Sequence, residues 1–260
     1  MMNVTDYLGR NIEYTFPPKK IISLAPAITN TMYALNLENE IVGRTRFCIH
    51  PKRKVQKAIN IGGTKDLKIE RIHDLKPHLI IAEKEENTKE MVELLEQFYP
   101  VYVFEVQTID DAFNMMNDLG FILNRKNKAN LLVQQISNAF RNLPNKKDKK
   151  AAYMIWKKPY MVVGDHTYIQ SMLLELGFTN PFINFPGRYP EVTIDDLKQA
   201  KLDYLFLATE PYPFREQHLA ELRKLLPNTE PIIMDGEMFW YGVNMLEAVS
   251  YFQRKLSKFN

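Results

Sequence analysis

The residue types best suited to chemistry sit in one short loop, Arg46-Phe47-Cys48-Ile49-His50-Pro51. Cys48 and His50 are soft and borderline metal ligands two positions apart, so an extended loop would aim both to one side. A closed site needs about two further ligands, and no C-x-x-C or H-x-H supplies them nearby. Two other readings stand beside metal ligation: a packed cysteine with a histidine bonded to loop backbone, or contact of either residue with a bound ligand. Catalytic signatures are missing, with no G-x-G-x-x-G, Walker A, G-x-S-x-G or H-E-x-x-H. Gly62-Gly63-Thr64-Lys65 lacks phosphate-loop spacing and reads as a turn. His73 and His78 read as surface or structural, His166 as a turn residue, and His218 as part of a charged helix. No Ser-His-Asp set assembles from the sequence, so no enzyme is assigned.

Aromatic residues recur at the predicted strand-to-helix loops of the second half. They are Trp156 and Tyr160, then Phe185 and Tyr189, then Tyr212 and Phe214, then Phe239, Trp240 and Tyr241. In open α/β sheets ligands bind outside the carboxyl ends of strands, and aromatic rings there offer broad amphipathic contact area. They suit a wall for a bulky, partly apolar ligand; core packing is the other reading.

These loops need a scaffold, and one pattern occurs twice. Residues 70–82 read ERIHDLKPHLIIA and residues 195–207 read DDLKQAKLDYLFL. Each has an acid (Glu70, Asp195), a short amphipathic stretch, a turn, and an apolar run suited to a strand buried on both faces. Further strands are expected near residues 21–24, 41–43, 102–106, 151–155 and 231–234, with a strand pair over 4–16 turned at Gly9. Thr29 is the expected cap of a helix to Leu37, and helices are expected over 88–98, 108–123 and 244–258. Apolar spacing predicts one long helix over residues 126–143, about 27 Å at 1.5 Å per residue. Alternating strands and helices imply an α/β fold of two lobes with parallel-rich central sheets. The expected division is residues 1–124, a connecting helix over 125–145, and residues 146–260, with a ligand cleft between the lobes.

Composition narrows the class. The 260 residues are 45% hydrophobic and 25% charged, ordinary for a globular protein. A net charge of +3 from 34 basic and 31 acidic residues gives no basis for a nucleic-acid partner. The run Lys146-Lys147-Asp148-Lys149-Lys150 reads as a solvated linker. Cys48 is the single cysteine, so no intrachain disulfide forms. The N-terminus shows no basic segment followed by an apolar one, and no span of ~20 apolar residues occurs, so the chain as given reads as soluble and unexported.

The run Ile21-Ile22-Ser23-Leu24-Ala25-Pro26-Ala27-Ile28-Thr29, then Ile41-Val42-Gly43, then residues 70–82, resembles the helical-backbone (class III) substrate-binding proteins of ABC importers for cobalamin, haem, siderophores and metals. The likeness runs from Asp6-Tyr7-Leu8-Gly9-Arg10 to the last helix, and is nearest to the cobalamin-binding branch. It implies no intrinsic cofactor, a monomer, and cobalamin or another metal chelate held by cleft loops at 26–30, 46–50, 156–160, 185–189 and 235–241. By position the ligand-binding residues are Pro26, Asn30, Arg46, Cys48, His50, Trp156, Tyr160, Tyr189, Phe239 and Trp240. Glu70 and Asp195 fall on the family's docking acids, expected to meet arginines of the membrane permease. The chain departs at Asn30, where the family commonly has Glu. The resemblance implies a periplasmic or extracytoplasmic site of action, whereas a cytoplasmic one follows if Met1 is the true start. A direct transition-metal receptor using Cys48 and His50, or a cytosolic cofactor-binding protein or enzyme on the same scaffold, are the alternatives.

Overall fold

The computed structural model describes residues 1–64 and 66–257. Lys65 of the Gly62-Gly63-Thr64-Lys65 turn, and Lys258 at the expected end of the last helix, lie outside the described residues. The chain divides into two compact units, one of residues 1–106, 110–136 and 241–243, the other of residues 107–109, 137–240 and 244–260.

In the first unit, β1 (Met2–Thr5) and β2 (Asn11–Tyr14) form an antiparallel hairpin. Its turn contains Gly9 at φ +76°, a torsion that glycine adopts without steric cost. The main sheet is β3 (Ile21–Ser23), β4 (Ile41–Arg44), β5 (Ile59–Asn60), β6 (Leu79–Glu83) and β7 (Val101–Phe104), in the order β5-β4-β3-β6-β7. Every pairing in it is parallel. Helices α1 (Pro26–Ala34), α2 (Ile69–Leu75), α3 (Lys89–Glu96) and α4 (Ile109–Ile122) lie between or after these strands. All five residues of β6 are buried, as a strand covered on both faces requires. Ile22, Leu24, Ile80, Val103 and Leu95 are among the side chains that fill this core.

α5 (Lys126–Phe140) contributes residues 126–136 to the first unit and 137–140 to the second. It ends three residues before the predicted Leu143, because Asn142 and Leu143 close tight turns onto Ala139 and Phe140. Ala129, Leu132, Ile136 and Phe140 are buried, keeping the i, i+3, i+4 stripe that the sequence shows.

The second unit carries a six-stranded sheet of β8 (Lys149–Trp156), β9 (Tyr160–Val162), β10 (Phe178–Thr179), β11 (Glu191–Val192), β12 (Tyr204–Ala208) and β13 (Glu230–Met234). β12 pairs in parallel with both β8 and β13 and is buried throughout. β9 runs antiparallel between β8 and β11, so the sheet is mixed at one side where alternation of strands and helices predicts parallel pairing. The cause is the short Lys157–Pro159 connection, which can return a strand only antiparallel. Helices α6 (Tyr168–Glu175), α7 (Ile194–Gln199), α8 (Glu216–Leu225) and α9 (Asn244–Leu256) complete the unit. Among the described residues, no helix is long and apolar enough to cross a membrane.

The doubled sequence pattern forms the same unit twice. α2 leads into β6 and α7 into β12, each through a left-handed lysine, Lys76 at φ 49° and Lys201 at φ 50°. An L-residue there costs about 1–2 kcal/mol, while glycine costs roughly 0.5–1 kcal/mol of extra unfolded-chain entropy. Lys76→Gly and Lys201→Gly should each raise the urea midpoint, by the equivalent of up to ~1 kcal/mol. A lowered midpoint in both would contradict the strain assignment.

Candidate functional site

In the first unit the strand order reverses direction between β3 and β6, and the carboxyl ends of these strands open the crevice where α/β sheets bind ligands. Sequence spacing predicts a helix start at Thr29, but α1 starts three residues earlier. Pro26 occupies its first turn, where a fixed φ and a missing N–H cost nothing. Thr29 is therefore inside the helix, donating from Oγ1 to Ala25 O at 2.8 Å and lying 2.7 Å from Ser23 Oγ. Asn30, on the same helix, is half-buried.

The 46–50 loop opens on a tight turn, with Cys48 N donating to Thr45 O, and turns Cys48 inward instead of aiming it outward beside His50. Cys48 is 1% exposed, whereas Phe47 and Ile49 are 48% and 47% exposed. Cys48 Sγ lies 3.1 Å from Thr29 Oγ1 and 3.2 Å from Thr45 Oγ1. Burial pushes its thiol up, against the lowering effect of those two hydroxyls, so it stays protonated and is a poor metal ligand. His50 is half-buried. Among the described residues no group of three or more His, Cys, Asp or Glu is placed to hold a metal ion. Arg46 is exposed, pairs with Asp66 at 2.9 Å, and sets its guanidinium 4.9 Å from the Phe47 ring centroid. Phe47 and Ile49 are exposed apolar side chains that ligand-type reasoning passes over, and their place on either side of Cys48 is the signal for them.

A second feature of this edge is Glu83, the last residue of β6 and 2% exposed. Its Oε2 accepts from Glu85 N at 2.8 Å and Glu86 N at 3.0 Å. Asn87 returns the favour, accepting from Glu83 N and donating to Leu24 O and Thr64 O, and so braces three segments at the strand ends. An acid at the end of an apolar run with Asn four residues on is a readable but unspecific sign.

In the second unit, Trp156 closes β8 and remains 40% exposed. Its ring meets that of Tyr212 edge to face at 5.6 Å, and Tyr212 packs on Phe214 at 4.7 Å. Tyr160 is half-buried; burial, then the Glu221 charge, pushes its phenol up. Glu221 is in turn paired with Lys157. His218, read from the sequence as part of a charged helix, is buried, with Nδ1 accepting from Arg215 N at 2.9 Å and its ring against Phe214. Burial and then Lys157 hold its pKa down, so it is neutral.

The other aromatic loops divide between wall and core. Phe214 is core, and so is Phe239, 4.4 Å from the Tyr153 ring and 5.1 Å from Phe252. Phe185 packs edge to face on Phe182. Tyr189 is half-buried in a segment that enters β11, where Arg188 O and Pro190 O accept from Gly164 N and Val162 N. It therefore lies alongside β9 and not in a loop leaving β8, β12 or β13. Trp240 is half-buried, with its indole N–H donating to Glu210 at 2.6 Å. Tyr241 belongs to the first unit, beside Gly242 and a Val243 N–H that donates to Thr31 Oγ1.

Glu70 and Asp195 occupy the first turns of α2 and α7 and are exposed, the Asp195 side chain to 81%. At α7 the cap is made by Thr193 and Asp196, which bond reciprocally. Asp195 is thus not needed to start its helix.

Burial, partly offset by the two amide donors, raises Glu83 to about 7. The folded state then holds a proton that the unfolded chain, at an ordinary 4.5, has released. Stability contributed here is complete below about 4.5 and declines as pH rises to about 7, by at most ~3 kcal/mol. Glu83→Gln removes the titration. Its stability relative to wild type should climb across that window and level off above it; denaturation series at several pH values would show a flat difference if the assignment is wrong.

Comparison with known proteins agrees with this architecture. A family model described as periplasmic binding protein matches residues 21–225. The vitamin B12-binding protein of Vibrio parahaemolyticus is 26% identical over 197 residues, 73% of this chain and 70% of that protein. Two solved structures share the fold. The periplasmic vitamin B12 binding protein BtuF of Vibrio cholerae has a TM-score of 0.77 at 21% identity, covering 94% of this chain and 98% of its own. The petrobactin-binding protein YclQ of Bacillus subtilis has a TM-score of 0.82 at 15% identity, covering 99% and 97%. The match takes in the parallel sheet of the first unit and the strands β8 to β12 of the second, and the chain belongs to the periplasmic binding protein family.

Proposed function

We propose that this protein is the substrate-binding component of an ABC importer, acting outside the cytoplasm as a monomer without catalysis of its own. It captures a corrinoid, or a metal chelate of similar bulk, and delivers it to the membrane permease. The observation that carries this reading is the Trp156–Tyr212 pair, an edge-to-face aromatic surface left partly exposed at the carboxyl end of a parallel strand. Partly exposed rings fixed by core neighbours suit a large ligand with apolar faces. Pro26, Asn30, Arg46, Tyr160, Tyr189 and Trp240 are the further proposed contacts, with Phe47 and Ile49 taking the place first given to Cys48 and His50. The metal travels inside the chelate, since no ligand cluster for a bare ion gathers around Cys48 among the described residues.

Calorimetric titration with hydroxocobalamin, dicyanocobinamide, haemin and a ferric hydroxamate siderophore tests the proposal. Binding of at least one, weakened about tenfold by Trp156→Ala, supports it. No heat with any of them overturns it.

Glu70 and Asp195 are the proposed docking acids. Exposed charges at a transient interface chiefly speed and orient encounter, and neither is consumed by capping at its helix. The double variant Glu70→Ala/Asp195→Ala should lose most uptake in a reconstituted transport assay while ligand affinity stays at the wild-type value. Full uptake by the variant would remove the docking role.

A further inference from the structure

Trp240 is one of only two tryptophans in the chain and closes the short 3-10 turn Gly236–Phe239 that follows β13. The backbone of this turn is pinned at several points. Asp235 N donates to the Tyr251 hydroxyl at 2.9 Å, Glu237 N to Asp235 Oδ1 at 3.1 Å, and Gly236 N to Thr209 Oγ1 at 2.9 Å. These bonds fix the main chain. The indole is fixed by a residue from the neighbouring strand end. Glu210, two positions past β12, accepts the indole N–H at 2.6 Å, a charge-assisted bond of the stronger kind. The turn is also shaped to admit it. A Cβ placed on Gly236 would collide with Glu210 Cγ, so glycine at this position is what lets the carboxylate reach the ring.

We infer that Glu210 is a positioning residue that locks the Trp240 indole into one orientation as a rigid wall for the bound chelate. The inference rests on the functional reading above and extends it to a residue that makes its contribution through another. A rotamer fixed before binding spares the ligand the cost of ordering it, on the order of 0.5–1.5 kcal/mol for a mobile side chain. Because the lock needs an acceptor and a glycine, three substitutions separate it from a general structural role. Glu210→Gln keeps a carbonyl acceptor, Glu210→Ala removes it, and Gly236→Ala displaces it by steric contact without touching its chemistry.

The test uses the full chain in two parts. In a Trp156→Phe background Trp240 is the sole tryptophan, so its fluorescence reports on this ring alone. Without ligand, Glu210→Ala and Gly236→Ala should each raise acrylamide quenching about twofold and lower the anisotropy, while Glu210→Gln stays near the parent. With Trp156 restored, chelate affinity should fall about five- to tenfold in Glu210→Ala and Gly236→Ala and by less than about twofold in Glu210→Gln. Far-ultraviolet circular dichroism identifies any variant that has not folded, and the remaining variants decide. Unchanged quenching in folded Glu210→Ala would overturn the inference, as would equal loss of affinity in the Gln and Ala variants. If the quenching pattern holds and no form binds any chelate, the receptor reading fails, and Glu210 is left as a clamp with no ligand to serve.

Discussion

Burial of β6 and β12 on both faces is the constraint from which the remaining architecture follows. A strand with five buried residues has no solvent-facing side, so helices must cover it and its backbone groups must pair with neighbours on both edges. β3 and β7 flank β6, and β8 and β13 flank β12. Polar groups can then appear only where the strands end. Glu83, Thr209 and Glu210 are all found there, each engaged by backbone or indole N–H groups. The polar edge that carries the candidate site is thus a by-product of covering the strands, since the chain can place polar groups where the sheet stops and hardly anywhere else.

The same constraint explains what could be read from the letters. The apolar runs 79–82 and 204–208 are legible because a doubly buried strand tolerates almost no polar residue, and the helix before each is legible by its acid and its spacing. The long stripe from Ala129 to Phe140 is legible because one face alone is buried. The start of α1 is misread because two signals compete: threonine is a good cap, but proline three residues earlier in the run Pro26-Ala27-Ile28-Thr29 already satisfies the first turn, and Thr29 then serves the interior. β9 and β11 escape notice because strands of three and two residues carry no measurable periodicity and are defined only by their partners.

The site was less legible than the fold. Residue type marks Cys48 as reactive, yet two threonine hydroxyls and complete burial make it part of the packing. Aromatic letters do not say which rings face inward: Phe214 and Phe239 are core, while Trp156 and Trp240 retain partial exposure because each has a polar or edge-on partner to hold it. Such partners come from other strands, at sequence distances that no local pattern spans. Glu210 is the clearest case, thirty residues from the ring that it holds.

Lys76 and Lys201 carry one more implication. The two helix-to-strand units share few identical letters, yet both pass through the left-handed region at the same place and within a degree of the same torsion. What the halves have in common is a backbone trajectory, written in side chains that do not favour it. Internal duplication in chains of this kind would therefore be sought more productively by aligning torsion angles than by aligning residues, because the path of the main chain can persist after the sequence that first described it has drifted away.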